Sequence, residues 1–329
     1  MLYGDQLRKI IKEHPDLFVF PSFLLEPKSE TISAEYQAIY VNKYKYDAFG
    51  CLWRTRIEGY IGEVVKRPLS DWAKLREFTL PDPEIGIPTE SGEPKPIITW
   101  DEIQKDIEEA EKRGDLVVAR MPHGFLFQRL YYLRGLSKLL IDMYKNEPKL
   151  MELIDQLTEY WISIVKIYKK LGKIDVFGFG DDLGAQTTPM IRPEHFKQYI
   201  YPSYKKIFNE AKSGGALVRL HTDGRIIELV DLLIDTNIDI LNIQDKVNGI
   251  ENTSKLLKGR ICIDIDIDRQ HLIPYATPKE IQEYIRYVIN EIDTPKGGLM
   301  VYAEVHPPTP LENIKALANA LYNYMWKQK

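Results

Sequence analysis

The chain has 329 residues, 44% of them hydrophobic and 28% charged, with a formal net charge of −4. That composition belongs to a globular protein with apolar material for a large core, and so small an imbalance leaves no electrostatic footprint for nucleic acid. No apolar run approaches the roughly 18 residues needed to span a bilayer, and Cys51 and Cys262 are too few for a disulfide framework. The N-terminus lacks a basic stretch followed by an apolar one. The expectation is a cytoplasmic protein with a small-molecule substrate and neither nucleic acid nor membrane as partner.

Residues 1–110 read as an irregular elaboration packed on a main domain. They carry Tyr36, Tyr40, Tyr44, Tyr46 and Tyr60 with Trp53, Trp72 and Trp100, and the stretch from Pro81 to Pro96 reads as a loop. A rhythm begins near residue 115. Short β-branched runs at 116–119, 174–179, 216–220, 238–243, 260–263 and 298–302 predict strands. Between them, Leu150, Leu153, Ile154, Leu157 and Trp161 have helical spacing in a segment from Pro148 to Lys170. Pro193 opens a further helix. Thr277 with Glu280 predicts a capped helix start, and Thr309 with Glu312 repeats the signature.

Strands alternating with helices predict a parallel sheet. It is either an open doubly wound sheet or a closed (β/α)8 TIM barrel. No Gly-x-Gly-x-x-Gly or Walker loop is present. The ends of successive strands are polar, as at the C-terminal face of a barrel, so a single barrel domain over 1–329 is expected. Those ends supply Asp181, Asp182 and Gln186, then His221 and Asp223, then Gln244, then Asp264, Asp266 and Asp268, then Glu304.

His221 and Asp223, two apart, share one side of a strand end. Two uses fit: a metal chelate completed from another strand, such as by Glu304, or a hydrogen bond between the two. Asp181 and Asp182 point to opposite sides, so one serves the pocket and the other caps the next helix or loop. Asp266 and Asp268 are placed past their strand. His123, after the first run, is a candidate for lining the pocket.

Asp181-Asp182-Leu183-Gly184-Ala185-Gln186, Leu220-His221-Thr222-Asp223-Gly224, Ile267-Asp268-Arg269-Gln270 and Pro308-Thr309-Pro310-Leu311-Glu312-Asn313 together resemble the uroporphyrinogen decarboxylase-like superfamily over about residues 45–327. Trp53, Pro68-Leu69 and Pro81-Asp82-Pro83 look like its corrinoid-linked methyltransferase branch. The resemblance implies a distorted (β/α)8 barrel, often a homodimer. The arginine-rich N-terminal motif with which the decarboxylase holds its tetrapyrrole is not found, so the carboxylates of such a substrate would lack counter-charges. The methyltransferases hold zinc through His-x-Cys and a later cysteine. Here His221 matches, Asp223 stands at the first cysteine, and Glu304 or Ala303 at the second.

The implied set is therefore oxygen-rich, His221, Asp223 and Glu304, suited to zinc or to a harder divalent ion such as manganese. The leading expectation is a methyltransferase moving a methyl group between a small molecule, or a corrinoid protein as partner, and an acceptor. Asp182 and His221 are its catalytic residues; His123, Gln186, Gln244 and Asp266 bind substrate. A decarboxylase (lyase) of a smaller substrate is the alternative, and a non-catalytic corrinoid- or partner-binding barrel a third.

Overall fold

The computed structural model describes residues 4–17, 44–56, 62–89, 96–306 and 308–325. Tyr36, Tyr40 and Tyr60 lie outside them. Two compact units emerge, one of residues 34–241 and one of residues 1–33 with 242–329.

In the first unit, β1 (Tyr44–Tyr46), β2 (Leu52–Arg54) and β3 (Glu63–Lys66) form an antiparallel sheet. Asp47 organises its turn. It accepts from the backbone N–H of Phe49 and Cys51, from the Trp53 indole at 2.9 Å, and from Arg129 Nη1 at 2.9 Å. The Asp47–Arg129 pair is almost fully buried, and Arg129 lies 4.1 Å over the Phe49 ring. Within the proline-rich segment expected to be a loop, β4 (Gly86–Pro88) pairs antiparallel with β5 (Ile97–Thr99). The pairing escaped the pattern because it is only three residues long and its proline sits at the strand end, where a missing donor is tolerated.

The predicted strands follow: β6 (Val118–Arg120), β7 (Val176–Gly180), β8 (Leu217–Thr222), β9 (Ile240–Gln244), β10 (Cys262–Asp266) and β11 (Leu299–Tyr302). Their order in the sheet is sequential from β6 to β11. Parallel pairing is registered Val118 to Val176, Gly180 to His221, and Asp266 to Tyr302. Each strand starts one or two residues into its apolar run, and all but β11 end one to three residues beyond it, because the pairing continues into the polar residues that follow. Asp266 is accordingly the last residue of β10 and buried, not past the strand.

The helix Pro148–Leu171 buries all five of its predicted apolar positions; Phe125 packs on its Trp161 and in turn on Phe179 and Tyr204, both of which meet Phe208. Each large side chain so buried contributes about 1.5–3 kcal/mol, against helix propensity differences of at most about 0.7 kcal/mol per ordinary residue. The apolar stripe therefore decides where this helix lies. Pro193 opens a short helix, and a π turn, Phe196–Ile200, precedes the helix Tyr201–Lys212. Pro202 cannot donate within that ladder, which accounts for the local widening.

In the second unit, the helix Pro278–Ile292 starts on the predicted Thr277–Glu280 capping box and buries Ile281, Ile285, Val288, Ile289 and Ile292. Ile10 of the helix Gly4–Glu13 packs with Ile314 and Ala318 of the helix Leu311–Met325. Among the described residues no helix is long and apolar enough to cross a membrane.

Candidate metal and acid–base site

Three strand ends of the first unit are stitched together by backbone hydrogen bonds. Met121 N–H donates to Gly178 O, Gly124 N–H to Gly180 O, and Asp181 N–H to His221 O, at 2.8, 2.8 and 3.0 Å. The residues just beyond β6, β7 and β8 are thereby brought to one place. Gly180 leaves room for that packing: a Cβ there would sit 2.7 Å from His123 Nδ1. Its absence lets the His123 ring approach that of His221, with centroids 5.3 Å apart. Gly224, at φ +81°, presses its backbone on Gly184 so closely that a Cβ would lie 2.2 Å from the Gly184 carbonyl carbon. That contact joins the segment after Asp182 to the segment after His221, with Gly184 N–H on Asp223 O at 3.1 Å.

The two adjacent aspartates divide the work. Asp181 is fully buried and accepts from the N–H groups of Phe127 at 2.5 Å and Gln128 at 2.8 Å, from Leu126 N–H at 3.3 Å, and from the Tyr204 hydroxyl at 2.8 Å. It thus caps the helix Phe127–Arg134, whose own N-cap residue, Leu126, has no side-chain acceptor. Burial pushes its carboxyl up to about 6, although these donors oppose the shift.

Asp182 turns the other way. Its Oδ2 is 3.1 Å from His123 Nε2 and accepts from Gln128 Nε2 at 2.9 Å. Its Oδ1 accepts from Asp223 N–H at 3.1 Å and lies 3.8 Å from His221 Nε2. Burial acts to raise its carboxyl, but His123, then His221 and the Asp223 amide, outweigh it and hold the group below the usual range. His221 Nε2 is also 3.5 Å from Asp223 Oδ1.

Among the described residues, His123, Asp182 and His221 form a group of metal-binding kind, each offering a ligand atom within 4.8 Å of the others. Ligands bound at about 2.0–2.2 Å around a tetrahedral zinc stand roughly 3.3–3.5 Å from one another, and the separations of Asp182 from His123 and His221, 3.1 and 3.8 Å, bracket that value. Two imidazoles and a carboxylate fit zinc or manganese. The set expected from sequence, His221, Asp223 and Glu304, shares only His221 with this group.

The other sequence candidates are placed as follows. Gln186 is exposed, in a turn closed by Ala185 N–H on Thr188 O at 2.8 Å. Gln244 ends β9, half-buried. In the second unit Arg269 Nη1 reaches Glu304 Oε2 at 2.5 Å and Asp266 Oδ2 at 3.5 Å. Tyr302 donates to Glu304 Oε1 at 2.7 Å, and His306 Nε2 is 3.0 Å from Oε2. Burial acts to raise the Glu304 carboxyl, but Tyr302, His306 and Arg269 hold it low. Sequence reasoning did not single out Gln128. Its signal is position: it is the second residue of the helix that follows the Pro122-His123-Gly124 segment.

Residues 127–324, more than half of the chain, match the family described as Uroporphyrinogen decarboxylase (URO-D). The chain belongs to the uroporphyrinogen decarboxylase family. Its fold is the family's (β/α)8 barrel, here with the N-terminal β1–β5 elaboration. Across 97% of this chain and 91% of the other, the structure aligns with a methyltransferase from Methanosarcina mazei at TM-score 0.61 and 15% identity. A D-psicose 3-epimerase crystallised with D-fructose aligns at TM-score 0.41 and 10% identity, covering 69% of this chain and 84% of that one. No curated protein matches the sequence.

Proposed function

We propose that this member of the uroporphyrinogen decarboxylase family is a methyl-group transferase that holds a divalent ion through His123, Asp182 and His221. The convergence of those three ligand atoms within 4.8 Å carries the reading, and the likeness of fold to a methyltransferase supports it. A bound divalent ion supplies Lewis acidity, lowering the pKa of a thiol or hydroxyl acceptor or polarising an oxygen of the substrate. The protein's own part is to keep Asp182 ionised and to hold its carboxylate between the His123 and His221 rings. The methyl donor is a methylated small molecule or a corrinoid protein. Metal analysis of the purified protein, followed by methyl transfer from a methylcorrinoid to a thiol, tests the proposal. About one equivalent of zinc or manganese, lost in His221→Ala together with methyl transfer, is the expected result. Methyl transfer by metal-free protein would sink it.

A second reading is metal-independent decarboxylation of a small substrate. The ionised state of Asp182 favours it, since a fixed carboxylate stabilises a protonated intermediate while His221 acts as general acid. Release of carbon dioxide without methyl transfer, unchanged by a chelator, selects this reading.

A further inference from the structure

We propose that Gln128 is a positioning residue that fixes the Asp182 carboxylate against the two imidazoles; the proposal rests on the reading of His123, Asp182 and His221 as the working group. The hydrogen bonds leave the Gln128 side chain one orientation. The Asp182 backbone N–H can only donate, so the amide oxygen must face it, at 3.0 Å. The amide nitrogen then faces Asp182 Oδ2 at 2.9 Å with one hydrogen. Its other hydrogen is directed at the hydroxyls of Tyr131 and Tyr132, 3.1 and 3.2 Å away.

Gln128 is itself held from behind. Its backbone N–H donates to Asp181 Oδ1 at 2.8 Å, and the side chain is nearly fully buried. The neighbouring carboxylates Asp181 and Asp182 therefore grip one residue by its backbone and by its side chain. A displacement of the helix Phe127–Arg134 is transmitted to Asp182 through this double hold.

The choice of an amide matters. A neutral donor on Oδ2 fixes the carboxylate without cancelling its charge, so Asp182 keeps its full attraction for a cation between the histidines. An arginine in that position would neutralise it, as Arg269 does for Glu304. Partners of a ligating carboxylate that fix its orientation in this way are worth about tenfold to a hundredfold in metal affinity.

The test compares Gln128→Met, which removes both hydrogen bonds to Asp182, with Gln128→Asn, whose amide is one methylene too short to hold the Asp182 N–H and Oδ2 together. Two readouts are used: zinc affinity by chelator competition, and the carboxyl carbon-13 resonance of Asp182, assigned with Asp182→Asn. Both variants are expected to bind zinc about tenfold to a hundredfold more weakly and to shift the Asp182 resonance. Thermal unfolding of Gln128→Asn is expected within a few degrees of wild type, and it serves if Gln128→Met fails to fold. An unchanged Asp182 resonance with zinc affinity within twofold of wild type overturns the proposal. If wild-type protein binds no zinc, the metal reading fails, and the Asp182 resonance alone decides the role of Gln128.

Discussion

Two carboxylates at strand ends, Asp182 in one unit and Glu304 in the other, are both held ionised, by opposite means. Glu304 has a permanent cation, the Arg269 guanidinium, at 2.5 Å, reinforced by Tyr302 and His306. Among the described residues, the groups that hold Asp182 are imidazoles, a neutral amide and a backbone N–H. A guanidinium does not lose its proton in a protein, so Glu304 is neutralised in place. Imidazoles can be neutral, so the Asp182 cluster has a charge to offer and nitrogen lone pairs beside it. The comparison teaches that carboxylates alike in sequence context differ in availability, and that the counter-charge decides which one can bind a metal or move a proton.

The sharpest way to break this contrast is to remove each carboxylate. Asp182→Ala should weaken zinc binding at least about a thousandfold, while Glu304→Gln should leave it within about threefold, both read by chelator competition. Equal losses in the two variants would erase the distinction. Next in size, Arg269→Ala removes the cation between Asp266 and Glu304. Its cost in chemical denaturation should be about 3 kcal/mol, the lower end for a buried pair because Glu304 is partly exposed.

The neighbouring aspartates Asp181 and Asp182 sharpen the comparison within one cluster through pH. The Asp181 carboxyl is raised from 3.8 to about 6 on folding. Its stabilising contribution is therefore complete below about pH 4 and lost as pH rises through about 6, a difference of up to about 3 kcal/mol. Asp181→Asn lacks that dependence, so the advantage of wild type over it should shrink between pH 4 and 7. Asp182, lowered on folding, has the opposite sign. Its contribution is present above its unfolded pKa and lost as pH falls, so the advantage over Asp182→Asn should grow with pH across the acid range. Denaturation curves at pH 4, 5, 6 and 7 check both slopes. The smallest expected effect is that of Gly180→Ala. The added Cβ displaces His123 from a 2.7 Å contact and should cost about tenfold in zinc affinity, with a smaller loss of thermal stability.

Much of this was legible in the chain. The six β-branched runs became β6 to β11, and the Pro148 helix buried the five side chains its spacing singled out. That Asp181 and Asp182 face opposite ways followed from their adjacency, although the helix that Asp181 caps precedes it and is not the next one. What could not be read was the partner of each. Asp181 caps a helix that begins more than fifty residues earlier in the chain. His123, expected only to line the pocket, joins Asp182 and His221 because Gly180 leaves it room. Glu304, expected beside His221 and Asp223 as a ligand, is instead held by Arg269, Tyr302 and His306.

Local order followed from the sequence alone, because helix periodicity, capping residues and apolar runs act over a few neighbours. The alternation of strand and helix then fixed a parallel sheet with polar strand ends. Only the tertiary structure decided which polar residues meet. Those pairings depend on close backbone approach at Gly180, Gly184 and Gly224 and on hydrogen bonds between segments remote in sequence. No periodicity within a segment records the position of another segment's side chain.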